Sequence, residues 1–169
     1  MMYDKINRQV KAKKDFRLPA LMVVCIGVAA MVIGIAVWAV VYHVQYQNFV
    51  STLSQATYFS YENNCLKAEV DGQEIRVSSE NAYQIYTYIT VYGASKKQKL
   101  SLDEADCVRL DYGNGTVMKL WKTKGEKGQN RLYIELSGDD DYFYSYSTNE
   151  VDFEAIKVRY LTLKDNELW

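Results

Sequence analysis

The longest unbroken run of apolar positions in the chain extends from Leu18 to Tyr42, and none of its residues is charged. At about 1.5 Å per residue, a helix of about 25 residues reaches roughly 37 Å, which exceeds the roughly 30 Å hydrocarbon core of a bilayer. Lipid offers no partner for backbone amides, so such a segment must be helical. The pattern predicts one transmembrane helix over 18–42. The core is too long for a cleaved secretory signal, so we expect a retained anchor.

After the span, the apolar positions thin out into a modest helical stripe that includes Phe49, Val50 and Leu53. No linker rich in proline, glycine or serine separates this stretch from the C-terminal part of the chain. We therefore expect the transmembrane helix to continue as a membrane-proximal stalk over residues 43–57, to about Gln55. A folded domain would then occupy residues 58–169.

Within that domain, short alternating runs are separated by turn residues. CLKAEV and QEIRV flank Asp71-Gly72, a strong hairpin signal. Ser78-Ser79 offers a helix N-cap ahead of NAYQIYTYITVY, where Ala82, Ile85 and Ile89 recur at helical spacing. The aromatic and β-branched content of that stretch also permits a strand, but the spacing favours a helix.

The remaining pattern predicts four antiparallel strands and a second helix. ADCVRLDY and TVMKLWKT flank a GNG turn, and RLYIELS and YFYSYS flank a turn rich in aspartate. A capping-box pattern from Ser147 to Glu150 precedes apolar positions at helical spacing, which begin with Phe153 and Ile156. We therefore predict an α+β fold. It consists of a single N-terminal transmembrane helix followed by a small two-layer domain of about six mainly antiparallel strands and two helices.

Charge is distributed unevenly about the span. Residues 1–17 carry six basic and two acidic side chains, a net charge of +4, whereas the rest of the chain carries 14 basic and 19 acidic side chains, a net charge of −5. Basic flanks stay cytoplasmic, so we expect the N-terminus inside and the C-terminal domain outside the cytoplasm. A topology signal that contacts anionic lipid headgroups explains the tail better than nucleic-acid binding does.

The cysteines leave one question open. Cys25 lies in the span, where a thiol acts as a small apolar side chain. Cys65 and Cys107 form an even pair in a compartment where disulfides persist, so a bridge between them is a candidate. Two independent buried thiols are the alternative. The spacing matches no metal-binding pattern and does not decide between them.

Residues that carry chemistry are scarce. The chain has one histidine, His43, on the expected stalk, which argues against a histidine-dependent nucleophile and against zinc. There is no phosphate-binding or dinucleotide-binding glycine motif. We therefore predict no catalytic, cofactor-binding or metal-binding residues, and no cofactor. Paired carboxylates for glycoside hydrolysis cannot be selected from sequence alone.

Tyrosine is the unusual feature of the composition, with 15 copies in the chain. Tyr142, Tyr144 and Tyr146 fall on one face if their segment is a strand. With Trp121 nearby, they form our candidate partner surface. The alternative is that they only suit a half-exposed sheet. In the span, Gly27, Ala30 and Gly34 form a candidate helix-packing face.

This architecture resembles that of many single-pass bacterial membrane proteins. Because catalytic signatures are lacking, we expect a non-catalytic extracytoplasmic domain that binds a membrane or envelope protein, as an accessory or scaffold subunit of an envelope complex. A ligand-sensing or cell-wall-polymer-binding domain is the alternative, and a hydrolase is a more distant one.

Overall fold

A computed structural model describes the backbone of residues 2–162 and the side chains of residues 21–162. The residues after Thr162 lie outside both ranges. The side chains of the basic tail and of the first residues of the span lie outside the second range. The first element, helix α1, covers Met2–Asn63. The chain divides into two compact units, the first ending at Val44 and the second beginning at Gln45.

The first unit is helical from Met2, and the side chains that the structure describes in it, from residue 21 onward, are mostly apolar. Every side chain from residue 21 to 41 is exposed, among them large residues such as Ile26, Met31 and Trp38. The rings of Trp38 and Tyr42 stack with their centroids 5.7 Å apart. By length and composition, α1 is able to cross a membrane.

The second unit is α+β. Its elements after α1 are β1 (Lys67–Val70), β2 (Gln73–Arg76), α2 (Ser79–Thr90), β3 (Ser95–Lys96), a 3-10 turn (Glu104–Asp106), β4 (Val108–Asp111), β5 (Val117–Lys124), β6 (Asn130–Ser137), β7 (Asp141–Ser147) and α3 (Phe153–Tyr160). The strands in the described residues form one antiparallel sheet of seven, in the order β2-β1-β4-β5-β6-β7-β3. The predicted α+β class is thus correct, with one strand more than expected.

Local sequence explains most of these boundaries. The β1–β2 turn has Asp71 at φ 52° and Gly72 at φ 76°, the positive values that two-residue hairpins need. Helix α2 begins as predicted, because Ser78 Oγ accepts the Asn81 backbone N–H at 3.2 Å. For α3, however, the N-cap is Asp152, and the expected capping box from Ser147 to Glu150 forms the end of β7 and a turn instead.

The three helices cover one face of the sheet and make the core with it. In α2, the buried residues are Ala82, Ile85 and Ile89. They pack in one cluster with the strand residues Ala68, Leu110, Met118, Leu120, Leu132, Ile134 and Leu136. The hydrophobic stripe of each element therefore faces the same layer, as a two-layer fold requires.

The segment that we expected to be a stalk differs from that expectation. Phe49, Leu53 and Ala56 are each 0% exposed and belong to the core of the second unit. The Phe49 ring lies 4.7 Å from the Tyr144 ring, between centroids. The modest stripe that the sequence shows after the span is therefore the buried face of a core helix, and α1 continues in helical form to Asn63.

Candidate functional site

The strand tyrosines that we expected to form a partner surface lie in the core. Tyr144 and Tyr146 are 1% and 0% exposed, and Tyr142 packs half-buried against the same cluster. They do share one face, as predicted, but that face is turned toward α1. There the Tyr142 ring contacts the Phe49 ring edge-on, and the Tyr144 ring contacts it at a tilt. Helix α1 covers them, so the proposed surface is wrong for Tyr144 and Tyr146.

Trp121 lies on the opposite face of the sheet and is only 5% exposed. It pairs across β5 and β6 with Tyr133, with ring centroids 5.8 Å apart. The connection of residues 97–107 crosses this face, and the Asp103 carbonyl accepts the Trp121 indole N–H at 2.9 Å. The prediction that Trp121 stands beside the strand tyrosines is therefore also wrong. Side chains alternate between the two faces of a sheet along each strand, and Trp121 points to the face that Tyr142, Tyr144 and Tyr146 do not occupy.

Ion pairs fasten the same connection, which we call the strap (residues 97–107). Lys99 Nζ lies 3.3 Å from the nearly buried Glu135 carboxylate, and Lys119 pairs with Glu104. The hydrogen bond from Lys119, together with its positive charge, lowers the pKa of Glu104. Burial raises the pKa of Tyr133, whose hydroxyl donates to the Gln98 carbonyl at 3.2 Å. The strap thus completes the second face of the sheet.

Cys65 and Cys107 are both free thiols in the described structure. Cys65 Sγ donates to the Tyr112 carbonyl at 3.2 Å, beside Gly113. Cys107 precedes the other end of β4 and is six residues from Gly113, which corresponds to about 20 Å along an extended strand. A disulfide needs Cα atoms within about 7 Å. The fold therefore separates the two thiols, and both are half-buried, not buried as the alternative expected.

The candidate packing residues of the span are exposed along α1. Gly27, Ala30 and Gly34 are each exposed, and a Cβ added at either glycine would meet nothing within 4 Å. The described chain therefore leaves this face uncovered, and its role in helix association stays a prediction.

The aromatic surface of the protein lies elsewhere, in a groove between the last turns of α1 and the first turns of α2. It has a volume of about 550 Å³, and we call it the tyrosine groove. Its lining residues are Ser54, Thr57, Tyr58, Tyr61, Glu80, Tyr83 and Tyr86. Tyr58, Tyr61 and Tyr83 are 63%, 54% and 59% exposed. Large aromatic rings exposed together in a groove are typical of binding surfaces.

Helix periodicity builds the groove. Because α2 turns Ala82, Ile85 and Ile89 inward, Tyr83 projects outward, while Tyr86 lies half-buried at the edge of the core, and their ring centroids stand 6.2 Å apart. On α1, Phe49, Leu53 and Ala56 face the core, which leaves Tyr58 and Tyr61 outside. The two helix ends are tied together by Ser79 Oγ, which donates to the Tyr61 carbonyl at 3.3 Å.

The charge at the groove is negative. Glu80 lines it and accepts a hydrogen bond at 3.2 Å from the amide of Gln84. At the rim, the Tyr58 hydroxyl donates to the Glu62 carboxylate, and that hydrogen bond, with the charge of Glu62, raises the pKa of Tyr58. None of the described residues that line the groove is basic.

Sequence reasoning selected the tyrosines of β7 and did not select those of α1 or α2. The signal was present: once Phe49 and Leu53 are assigned to a buried face, helical spacing puts Tyr58 and Tyr61 on the outside. Assigning residues 43–57 to a stalk left this helix without a buried face, and so without a defined outer face for Tyr58 and Tyr61.

A second depression, lined by polar groups, has no comparable arrangement. It includes Lys122, which pairs with Glu154 at 3.0 Å, and Lys157, which pairs with Asp71 at 2.8 Å. Among the described residues, no three His, Cys, Asp or Glu side chains come together in a way that could hold a metal ion. Of these two depressions, the tyrosine groove is the one lined by exposed aromatic rings.

Comparison of the chain with protein-family models, with curated proteins and with solved structures finds no match.

Proposed function

We propose that this chain is a single-pass, membrane-anchored accessory domain that binds a protein partner through the tyrosine groove and catalyses no reaction. The exposed tyrosine groove is the observation that carries this proposal. Tyrosine supplies contact area and a polar tip at low cost in conformational entropy, which is why it dominates many binding surfaces. The partner would be a membrane or envelope protein of a bacterial cell.

The anchor supports the same proposal. A helix long and apolar enough to cross a bilayer would keep the domain at the membrane surface. The basic tail would hold the N-terminus in the cytoplasm by the positive-inside rule, which would leave the domain outside. Confinement to the membrane raises the effective concentration of a partner that is also membrane-bound, so a groove of modest affinity suffices.

Photo-crosslinking in membranes tests this proposal. The full chain carries p-benzoylphenylalanine in place of Tyr61, a groove residue, and is illuminated in the cells that produce it naturally. We expect one discrete adduct with another protein, because the side chain at position 61 would lie in the interface.

The matched control carries the same amino acid in place of Val158, which is 66% exposed on α3 and does not line the groove. It should give no adduct. Equal adduct patterns at both positions, or none at position 61, would contradict binding through the groove.

Polymer binding is the second candidate, and the open, ring-lined shape of the groove is the observation that favours it. Tyrosine faces also stack on sugars. If a soluble cell-wall glycan raises the melting temperature of the full chain in detergent, and substitution of Tyr83 by Leu abolishes the shift, the polymer would replace the protein as the ligand.

A further inference from the structure

We propose that the tyrosine groove receives an arginine or lysine side chain from an exposed segment of the partner protein. This inference rests on the proposed function and specifies the chemistry of the partner. It combines two properties of the groove, its charge and the orientation of its rings.

The first property is negative charge that lacks an ion-pair partner among the described residues. Glu80 in the lining and Glu62 at the rim form no ion pair with any described basic residue. Elsewhere in this unit, several exposed carboxylates have a lysine partner, for example Glu74 with Lys67 at 2.8 Å. A partner with the opposite charge would supply the missing cation, and complementary charge is how interfaces select partners.

The nearest described basic group in sequence does not fill that role. Arg76 directs its guanidinium at the Asn64 carbonyl, with N–O distances of 2.7 and 3.1 Å. It thus caps the end of the α1 segment and is not one of the groove residues. The groove therefore keeps its negative charge in the free protein.

The second property is the set of tyrosine rings. The face of an aromatic ring carries partial negative charge and attracts a cation placed over it. Four tyrosines line one groove here, and two of them, Tyr83 and Tyr86, are inclined at 42° to each other. Such walls suit the planar guanidinium of arginine, which stacks on rings and also pairs with carboxylates.

The shape of the site favours a protein segment over a small cation. The groove is open to solvent along two helices and has a volume of about 550 Å³. An enclosed aromatic cage would suit an isolated quaternary ammonium group. An open groove admits a side chain that arrives with its own backbone, whose neighbours then contact the rim.

The binding experiment uses the full chain in nanodiscs of zwitterionic lipid, which do not themselves attract cations. The probes are two fluorescent peptides, acetyl-Gly-Arg-Gly-Arg-Gly and the same peptide with citrulline in place of arginine. Citrulline keeps the size and loses the charge. We expect the arginine peptide to bind about five- to tenfold more tightly, and this preference to shrink as salt screens the carboxylates.

Variants locate the effect. The double variant with Glu62→Gln and Glu80→Gln should weaken binding of the arginine peptide about three- to tenfold and leave binding of the citrulline peptide unchanged. The control is Glu126→Gln with Glu150→Gln, two exposed acids outside the lining, which should change neither affinity. Tyr83→Phe should preserve binding because the ring remains, whereas Tyr83→Leu should weaken it about threefold. A thermal melt of each variant checks folding.

The outcomes separate this inference from the proposed function. If the crosslink at position 61 forms and persists in the double glutamine variant, partner binding stands and the cationic partner is refuted. If no crosslink forms, the proposed function itself fails.

A crosslink between two copies of this chain would replace the partner with a second copy and overturn the inference. The same holds if tetramethylammonium displaces the arginine peptide at equal concentration, because the groove would then be a site for small cations. Equal affinity for the arginine and citrulline peptides would also overturn it.

Discussion

Replacing Phe49 by alanine tests whether residues 45–63 are part of the folded domain. The ring is fully buried, and its centroid lies 4.7 Å from that of Tyr144 and 6.0 Å from that of Tyr142. Truncating such a buried ring costs about 3–5 kcal/mol, through lost burial and the cavity left behind. That is a large share of the roughly 5–15 kcal/mol that stabilises a typical domain.

The assay is thermal unfolding of the full chain in detergent, followed by near-ultraviolet circular dichroism. For a domain of this size, the loss corresponds to a fall of roughly 10–20 °C in Tm. The control is Asn48→Ala, at the adjacent exposed position, which should change Tm by no more than about 2 °C. If both variants melt at the same temperature, the segment is a free stalk and the core assignment is refuted.

Three further predictions concern the second unit. Gly113→Ala should destabilise the fold by about 2–4 kcal/mol in thermal melts, and Gly115→Ala by only about 1 kcal/mol. Both glycines have positive φ, but only a Cβ at position 113 would collide with a neighbour, Cys65 Sγ at 2.7 Å. Equal losses of stability would refute the collision. After denaturation without reductant, maleimide should label both Cys65 and Cys107, and protection of both thiols would reveal a disulfide. In the folded protein, burial raises the pKa of the Cys107 thiol, so its labelling should be slow near neutral pH and accelerate as pH rises. The hydrogen bond and the charge of Lys119 lower the pKa of Glu104 below its ordinary value of 4.5, so this ion pair stabilises the folded state above that value and loses the effect as pH falls through the lowered pKa. Glu104→Gln should therefore reduce Tm slightly at pH 7, and the difference from the parent chain should shrink as pH falls; a difference that does not change with pH would refute the ion pair.

The sequence located the strands more reliably than it located the surface. The Asp71-Gly72 turn and the Ser78 cap depend on contacts within a few residues, so local pattern predicts them well. Burial of Tyr144 depends on which helix packs over β7, and that contact joins residues about 95 positions apart along the chain. Period-two alternation put the three tyrosines on one face, but alternation cannot say whether that face meets solvent or a helix.

The strap, on the other face of the sheet, is a second feature that the sequence pattern does not predict. Residues 97–107 look like a polar loop, and their sequence carries no sign of the role they play over Trp121 and Tyr133. A sheet with helices on one face still has a second face. What covers it depends on the path of the chain in three dimensions, which propensity and pattern do not encode.

The sequence by itself determined the apolar helix, the charge asymmetry about it and the α+β class, because each follows from local composition and periodicity. Only the tertiary structure decided where the aromatic surface lies. Helix α1 packs Phe49 against the strand tyrosines and thereby buries them, and the same packing turns Tyr58 and Tyr61 toward α2 to form the groove. A side chain becomes core or surface through its long-range neighbours, and these exist only once the chain has folded.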